Sequence, residues 1–193
     1  DGGGNVYVTG QSENETGQIV YATIKYDSVG NEEWISRYRD IIRDGCYPVS
    51  IAVDNLGNVY VTGDILFLAR NIEGLNSSDF ATVKYNSSGV EQWVQKSDDL
   101  IQEISAYHAR DLVIDQNGNI FVTGSRKTET SSIDFATIKY NPDGVNEWVQ
   151  IFNGPGNDWD EPNSIVVDNE GSVYVTGSTG IDSNSDYATI KYN

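Results

Sequence analysis

Residues 134–150 read DFATIKYNPDGVNEWVQ, and residues 79–95 repeat the same phrase as DFATVKYNSSGVEQWVQ. A third version, YATIKYDSVGNEEWIS, covers residues 21–36, and DYATIKYN covers residues 186–193. Repetition of one phrase indicates that the chain is built from copies of a single structural unit. The architecture of that unit therefore decides the fold.

A second phrase comes before each of these copies. GNVYVTG begins at Gly4 and Gly57, GNIFVTG at Gly118 and GSVYVTG at Gly171, with spacings of 53, 61 and 53 residues. The longer spacing arises from extra residues in two connections of the second copy. Insertions that fall only in connections indicate a constant core with loops of variable length.

Each repeat contains four predicted strands, which are short and rich in β-branched and aromatic residues. Strand one ends in an aspartate, strand two is the VYVTG phrase, strand three is ATIKY, and strand four carries a tryptophan. The turns after strands one and three open with Asp or Asn and contain a glycine, which supplies the positive φ of a tight hairpin. The residues assigned to these structural roles are Trp34, Trp93, Trp148, Gly57, Gly118 and Gly171.

Four-stranded antiparallel meanders at this spacing predict an all-β fold made of β-propeller blades. One meander alone would expose two apolar faces, and stacking blades buries both, with the tryptophan covering the junction. We expect residues 1–193 to form one propeller segment with blade pieces 1–40, 50–97, 111–153 and 164–193. The first piece lacks strand one and the last lacks strand four. We therefore expect a partial ring or arc of about 3.5 blades cut from a longer propeller, with an oligomer of arcs as the alternative.

The composition restricts the partners. Asp and Glu number 29 against 12 Lys and Arg, and the net charge of -17 repels nucleic acids and anionic lipid surfaces. The longest apolar burst is ILFLA at residues 65–69, far shorter than the roughly 18 residues of a membrane span. We expect an acidic protein with no nucleic-acid partner and no membrane insertion.

Few residues suggest catalysis. Cys46 is the only cysteine and His108 the only histidine, and the repeats place them in equivalent connections of different blades. Neither a zinc site nor a Ser-His-Asp arrangement has enough residues, so we expect no catalytic residue. Dense acidic groups, such as Asp98 with Asp99, keep a glycosidase as an alternative.

One loop has the spacing of a calcium site. Asp115, Asn117 and Asn119 could supply alternating oxygen ligands around Gly118, but the distal glutamate of an EF-hand is missing. The same loop is explained as a hairpin turn. We expect no cofactor, with calcium at these three residues as the weaker alternative.

The second and third blades have the most individual connections. The insertion in the second blade includes ILFLAR, which is too apolar for an ordinary solvated loop. It either packs back on the blade or contacts a partner. The candidate binding residues in the two connections are Ile65, Leu66, Phe67, Leu68, Arg70, Tyr107 and His108.

SIAVDNLGNVYVTG (residues 50–63) and DFATIKYNPDGVNEW (residues 134–148) resemble the SBBP repeats, a family named for seven-bladed β-propellers. The resemblance covers essentially the whole chain. It implies a secreted or cell-surface protein without shared catalytic residues. From it we expect a non-catalytic extracellular or cell-surface scaffold that binds a protein or glycan. The alternatives are a secreted propeller enzyme of lyase or glycosidase type and a homo-oligomer that assembles through open blade edges.

Overall fold

A computed structural model describes residues 1–67, 77–97, 106–127, 132–181 and 184–193. Within these ranges the chain forms fourteen β-strands, which confirms the predicted all-β fold. The same ranges contain no helix with the length and apolar character to cross a membrane. The chain divides into two compact units, residues 1–100 and 101–193.

Unit 1 contains blades 1 and 2, which are antiparallel meanders of three and four strands. The strands of blade 1 are β1 (Val6–Glu13), β2 (Ile19–Tyr26) and β3 (Glu32–Tyr38). The strands of blade 2 are β4 (Gly45–Val53), β5 (Val59–Phe67), β6 (Ser77–Tyr85) and β7 (Glu91–Lys96). One parallel bridge between Ile19 and Gly45 joins the two meanders into a single sheet.

Unit 2 contains blades 3 and 4, which form a four-stranded and a three-stranded sheet. The strands of blade 3 are β8 (Ala106–Ile114), β9 (Ile120–Lys127), β10 (Ile133–Tyr140) and β11 (Asn146–Phe152). The strands of blade 4 are β12 (Glu161–Val167), β13 (Val173–Ile181) and β14 (Asn184–Tyr192). All of these sheets are open rather than closed, as predicted for part of a propeller.

Strand one of each complete blade begins earlier than the sequence predicts. In blade 2 it starts at Gly45 rather than Ser50, and its register with β5 shifts between Pro48 and Ser50. The same β-bulge recurs in β8 and β12. In β4 and β12 the bulge lets the strand continue past Pro48 and Pro162, which cannot donate to the ladder, whereas β8 has Ala109 at this position. The extra residue also breaks the alternation of side chains, which is why the sequence pattern hides the first half of the strand.

The last glycine of each VYVTG-type phrase lies opposite this bulge. A Cβ on Gly63 would collide with the carbonyl oxygen of Tyr47, and Gly124 and Gly177 approach β8 and β12 in the same way. Gly10 of blade 1, whose described strands are β1–β3, has no atom within 4 Å of its Cβ position. Close approach of two backbones therefore requires the glycine in blades 2, 3 and 4.

The blades of unit 1 meet through an aromatic face and an aliphatic face. The aromatic face of blade 1 consists of Tyr7, Tyr21, Trp34 and Tyr38. The aliphatic face of blade 2 consists of Ile51, Val53, Val59, Val61, Val83 and Val94. Removing these side chains from water is the main contribution that stabilises the unit, at roughly 25 cal/mol per Å² of apolar surface.

Unit 2 repeats this interface with different residues. The aromatic face of blade 3 consists of Phe121, Phe135, Trp148 and Phe152. The aliphatic face of blade 4 consists of Ile165, Val167, Val173, Val175 and Ile190. In both units the tryptophan also contacts the last tyrosine of the next blade, with ring centroids 6.4 Å apart for Trp34 and Tyr85 and 5.8 Å apart for Trp148 and Tyr192.

Candidate functional site

Aspartate carboxylates in the repeat accept hydrogen bonds that close its hairpin turns. Asp54 Oδ1 accepts the backbone N–H groups of Leu56 and Asn58, each at 2.9 Å. Its Oδ2 accepts the side-chain amide of Asn58 at 2.7 Å and the hydroxyl of Tyr60 at 3.2 Å. One aspartate therefore closes the hairpin and fixes the first aromatic residue of strand two.

The two bonds to Oδ1 occur eight times in the described part of the chain, each time with a glycine at positive φ three residues later. The Asx residues are Asp1, Asn14, Asp27, Asp54, Asn86, Asp115, Asn141 and Asp168. Hydrogen bonds from the side chain and backbone of Asn31 lower the pKa of Asp27. The backbone N–H of Ser172 and the hydroxyl of Tyr174 lower the pKa of Asp168.

The three residues with calcium-like spacing form one of these turns. Asp115 Oδ1 accepts the N–H groups of Asn117 and Asn119 at 2.8 Å, and Oδ2 accepts the side-chain amide of Asn119 at 2.7 Å. Turn closure thus accounts for the residue types at these positions. Among the described residues, no group of three or more His, Cys, Asp or Glu side chains is arranged to hold a metal ion. Calcium binding here stays a prediction.

A lysine of strand three lies over the strand-two aromatic ring in all four blades. The pairs are Lys25–Tyr7, Lys84–Tyr60, Lys139–Phe121 and Lys191–Tyr174, with Nζ 5.2 to 5.6 Å from the ring centroid. Two of these pairs line clefts. Lys25 and Tyr7 line one of about 460 Å³ in unit 1, and Lys139 and Phe121 line one of about 230 Å³ in unit 2. Glu33 and Glu147 each pair with the cleft lysine at 2.7 Å, so the lysines are already neutralised.

The connection from blade 1 to blade 2 contains buried ion pairs. Arg43 Nη2 lies 2.8 Å from Asp79 Oδ2, and both side chains are at most 8% exposed. Lys96 Nζ lies 2.5 Å from Asp40 Oδ2. Burial alone would raise the pKa of Asp40, but the bonds from Lys96 and the backbone N–H of Ile42 outweigh it and lower the pKa. The connection is therefore fixed to strands three and four of blade 2.

Cys46 belongs to this buried network. Its thiol is 1% exposed and accepts the backbone N–H of Asp40 at 3.4 Å. Burial raises the pKa of the thiol, so Cys46 stays protonated at neutral pH and has a structural role.

The connection from blade 3 to blade 4 is fixed by one carboxylate. Asp160 is 0% exposed, and its Oδ2 accepts the N–H of Gly154 at 2.5 Å. Its Oδ1 accepts the hydroxyl of Thr179, also at 2.5 Å. Glu161 pairs with Arg110 on the neighbouring blade. These acidic groups stabilise the connection. The acidic pair Asp98 and Asp99, which the sequence offers as a glycosidase candidate, lies outside the described residues.

Both connections expose large apolar side chains that the sequence reasoning did not select. Ile41 and Ile42 are 81% and 64% exposed, and Trp159 is 57% exposed. Isolated exposed apolar residues are common, but an adjacent pair and a tryptophan on anchored loops are typical of contact surfaces. The adjacent isoleucines in RDIIRD were a usable sequence signal, because neighbouring residues in that stretch are charged.

Part of the apolar insertion of blade 2 extends the strand. Ile65 is 0% exposed and pairs with Cys46 inside the interface of unit 1, so this side chain is not on the surface. Its neighbour Leu66 is half-buried opposite Gly45. The strand continues because the apolar side chains find a partner on β4.

The other candidate binding residues lie at the ends of strands or beyond them. Phe67 ends β5, and Tyr107 and His108 lie near the start of β8, where His108 is half-buried. Leu68 and Arg70 lie outside the described residues. A binding role for these five residues stays a prediction.

The antiparallel meanders and their repeated aromatic–aliphatic interfaces define a β-propeller repeat protein. Among known families, the SBBP beta-propeller repeat matches residues 42–66 and 147–184, which confirms the resemblance found in the sequence. The matched segments contain β4 with most of β5, and β11 to β13.

The chain is also similar to an uncharacterized WD repeat-containing protein of Acanthamoeba polyphaga mimivirus. The two are 28% identical over 148 residues, which cover 67% of this chain and 10% of the relative. The chain thus spans about a tenth of the length of that relative. WD repeats are also propeller blades, so both comparisons support a propeller-type scaffold.

Proposed function

We propose that this chain is a non-catalytic extracellular or cell-surface β-propeller scaffold that binds a protein or glycan through the connections between its blades. One observation carries the proposal. The equivalent connections at residues 39–46 and 153–160 are anchored by buried polar groups, yet they expose Ile41, Ile42 and Trp159.

Anchored loops suit recognition because little conformational entropy is lost when a partner binds. The ion pair of Arg43 with Asp79 and the hydrogen bonds of Asp160 restrain the backbone beside the exposed groups. A tryptophan can stack on a sugar ring or fill a pocket on a protein, and tryptophan is enriched among residues that dominate binding energy.

The polar residues that recur in every blade support a scaffold rather than an enzyme. Their carboxylates accept hydrogen bonds within turns, and their lysines lie over aromatic rings, so the repeat is used for folding. The extracellular setting rests on the SBBP resemblance and agrees with the acidic composition.

Arrays of immobilised glycans and of immobilised extracellular proteins test the proposal. We expect binding by the parent chain and a loss of about tenfold or more in Trp159→Ser or in Ile41→Ser. Leu56→Ser is the matched control, because Leu56 is 81% exposed in the turn between β4 and β5. Equal binding by all variants, or no binding to either array, would contradict the proposal.

A further inference from the structure

Trp159 differs from the other three tryptophans of the chain. Trp34, Trp93 and Trp148 recur at one position of the repeat, on strand four, and are half-buried. Trp159 lies in the connection between blades 3 and 4 and is 57% exposed. An indole stabilises a fold by burying its large apolar surface, so one that stays exposed is typical of a contact surface.

The backbone around Trp159 is restrained by its neighbours. Its N–H donates to Asp158 Oδ1 at 2.9 Å, and the N–H of Asp160 donates to the carbonyl of Ile133 on β10 at 2.7 Å. Gly180 of β13 lies against the same residue, since a Cβ there would stand 3.1 Å from the N and O atoms of Trp159. The exposed indole is therefore attached to a fixed backbone, and little conformational entropy is lost when a ligand stacks on it.

Asn157, two residues earlier, has an unusual backbone conformation. Its φ is 45°, and it is the one non-glycine residue with positive φ in the part of the chain that the structure describes. The eight hairpin turns of the repeat use glycine for this purpose. Asparagine enters this region at some cost in strain, which points to a role for its side chain. Its Oδ1 accepts the amide of Asn153 at 2.6 Å, and its own amide N–H groups stay available to a ligand.

The side chains beside Trp159 are short and polar. Asn153 and Asn157 are exposed, and Asp158 is half-buried with Oδ1 bonded to the backbone and Oδ2 available. A sugar has C–H faces that stack on an aromatic ring and hydroxyls that both donate and accept hydrogen bonds. One indole beside amides and a carboxylate matches this combination. The other connection has two adjacent isoleucines instead, which suit a protein partner better.

We propose that the connection at residues 153–160 is a carbohydrate site that takes a neutral pyranose. The sugar ring stacks on Trp159, and its hydroxyls accept from the Asn157 amide and donate to Asp158 Oδ2. The inference rests on the proposed function and narrows the ligand of this connection to a glycan. A neutral sugar is favoured over an anionic one, because the chain carries a net charge of -17 and Asp158 places a carboxylate at the site.

Acrylamide quenching of fluorescence measures occupancy of the site, because Trp159 is the most exposed of the four tryptophans. The probes are neutral oligosaccharides of glucose, galactose, mannose and N-acetylglucosamine, with uronic-acid oligosaccharides as anionic counterparts. We expect at least one neutral probe to bind the 193-residue chain and to protect Trp159 from acrylamide. The anionic counterpart binds at least about tenfold more weakly at low salt, and added salt reduces the difference.

Substitutions at two residues separate recognition of the sugar from packing of the loop. Calorimetric titration uses the neutral probe that protects the tryptophan. Trp159→Leu keeps an apolar side chain but loses the aromatic face, so it weakens binding at least about tenfold, whereas Trp159→Phe retains part of the affinity. Asn157→Gly removes the amide and fits the positive φ, so it weakens binding while Tm stays the same or rises. Ile41→Ser in the other connection is the control and leaves sugar binding unchanged.

Three results would overturn the inference. The first is a chain that binds immobilised extracellular proteins but no neutral sugar, in which case the proposed function stands without a carbohydrate site. Binding to neither class would contradict both. The second is Trp159→Leu binding the sugar as tightly as the parent chain. The third is Asn157→Gly with lowered Tm and unchanged binding, which would assign the asparagine to the loop structure and not to the sugar.

Discussion

The connections at residues 39–46 and 153–160 share one backbone-to-side-chain hydrogen bond, which each makes with a different acceptor. In unit 1 the N–H of Asp40 donates to Cys46 Sγ at 3.4 Å, and in unit 2 the N–H of Gly154 donates to Asp160 Oδ2 at 2.5 Å. The donor lies six residues before the acceptor in both cases. The fold thus requires an acceptor at this position, but it does not require a particular one.

The partner across the strand changes with the acceptor. Thr179 donates its hydroxyl to Asp160, whereas the equivalent partner of Cys46 is the fully buried Ile65. A carboxylate without the threonine would leave an acceptor unsatisfied in the core, and a thiol beside a threonine would leave a hydroxyl unsatisfied. The acceptor and the residue across the strand therefore match each other as a pair in each unit.

The largest expected effect comes from breaking what the two units share. Gly63→Ala and Gly177→Ala place a Cβ against the backbone of the bulged strand, so each lowers the free energy of unfolding by about 3 kcal/mol. Urea denaturation measures the loss. Gly10→Ala is the matched control, with a change within about 0.5 kcal/mol because its Cβ position is open. Equal losses at all three glycines would show that glycine is needed for the flexibility of the chain and not for the close approach of two backbones at the bulge.

The acceptor and its partner across the strand are expected to be coupled in both connections. Asp160→Cys removes the acceptor of the Thr179 hydroxyl and costs about 2 kcal/mol, since that hydroxyl stays buried without a partner. Adding Thr179→Ile recreates the pair found in unit 1 and recovers about half or more of the loss. Urea denaturation of the parent, both single variants and the double variant gives a coupling energy of about 1 kcal/mol or more.

The reciprocal change is the control for this cycle. Cys46→Asp places a carboxylate opposite Ile65, where no hydroxyl can donate to it, and Ile65→Thr supplies one. The double variant is expected to be more stable than Cys46→Asp alone. Additive losses in both units would show that the two positions do not act as pairs.

Local signals in the sequence were sufficient to predict the strands, the turns and the assignment of the repeats as propeller blades. Period-two alternation marks the strands, and an Asx residue with a glycine three positions later marks each turn. The bulges were missed because the extra residue interrupts that alternation. The bond between Asp160 and Thr179 was missed because its groups are 19 residues apart and meet only when β12 pairs with β13.

The candidate site was harder to predict than the fold. The apolar insertion looked like a contact surface, but exposure of a side chain depends on what packs against it, and Ile65 is covered by the interface of unit 1. Ile41 and Trp159 are exposed for the converse reason, since their anchored connections turn them outward. Composition alone does not distinguish these cases.

Acid sensitivity is a smaller effect that separates aspartate turns from asparagine turns. The pKa values of Asp27 and Asp168 are lowered from 3.8 by turn hydrogen bonds, so these carboxylates stabilise the fold above about pH 4. That stabilisation is lost as pH falls through the lowered values. Asp27→Asn and Asp168→Asn keep the Oδ1 acceptor, as in the natural turn at Asn86, so Tm falls less steeply below pH 4. Identical acid profiles for parent and variants would contradict this assignment.

The smallest effect concerns the tyrosine that joins a turn to strand two. Tyr174 donates its hydroxyl to Asp168 Oδ2 at 3.0 Å, whereas Phe121 stands at this position in blade 3 beside Asp115. Tyr174→Phe removes one hydrogen bond to a charged group at an exposed turn, so it lowers the free energy of unfolding only slightly. Urea denaturation of Tyr174→Phe in the parent and in Asp168→Asn isolates the bond. The loss disappears in the second background if the hydroxyl stabilises the ionised carboxylate, and an unchanged loss would assign it to packing of the ring.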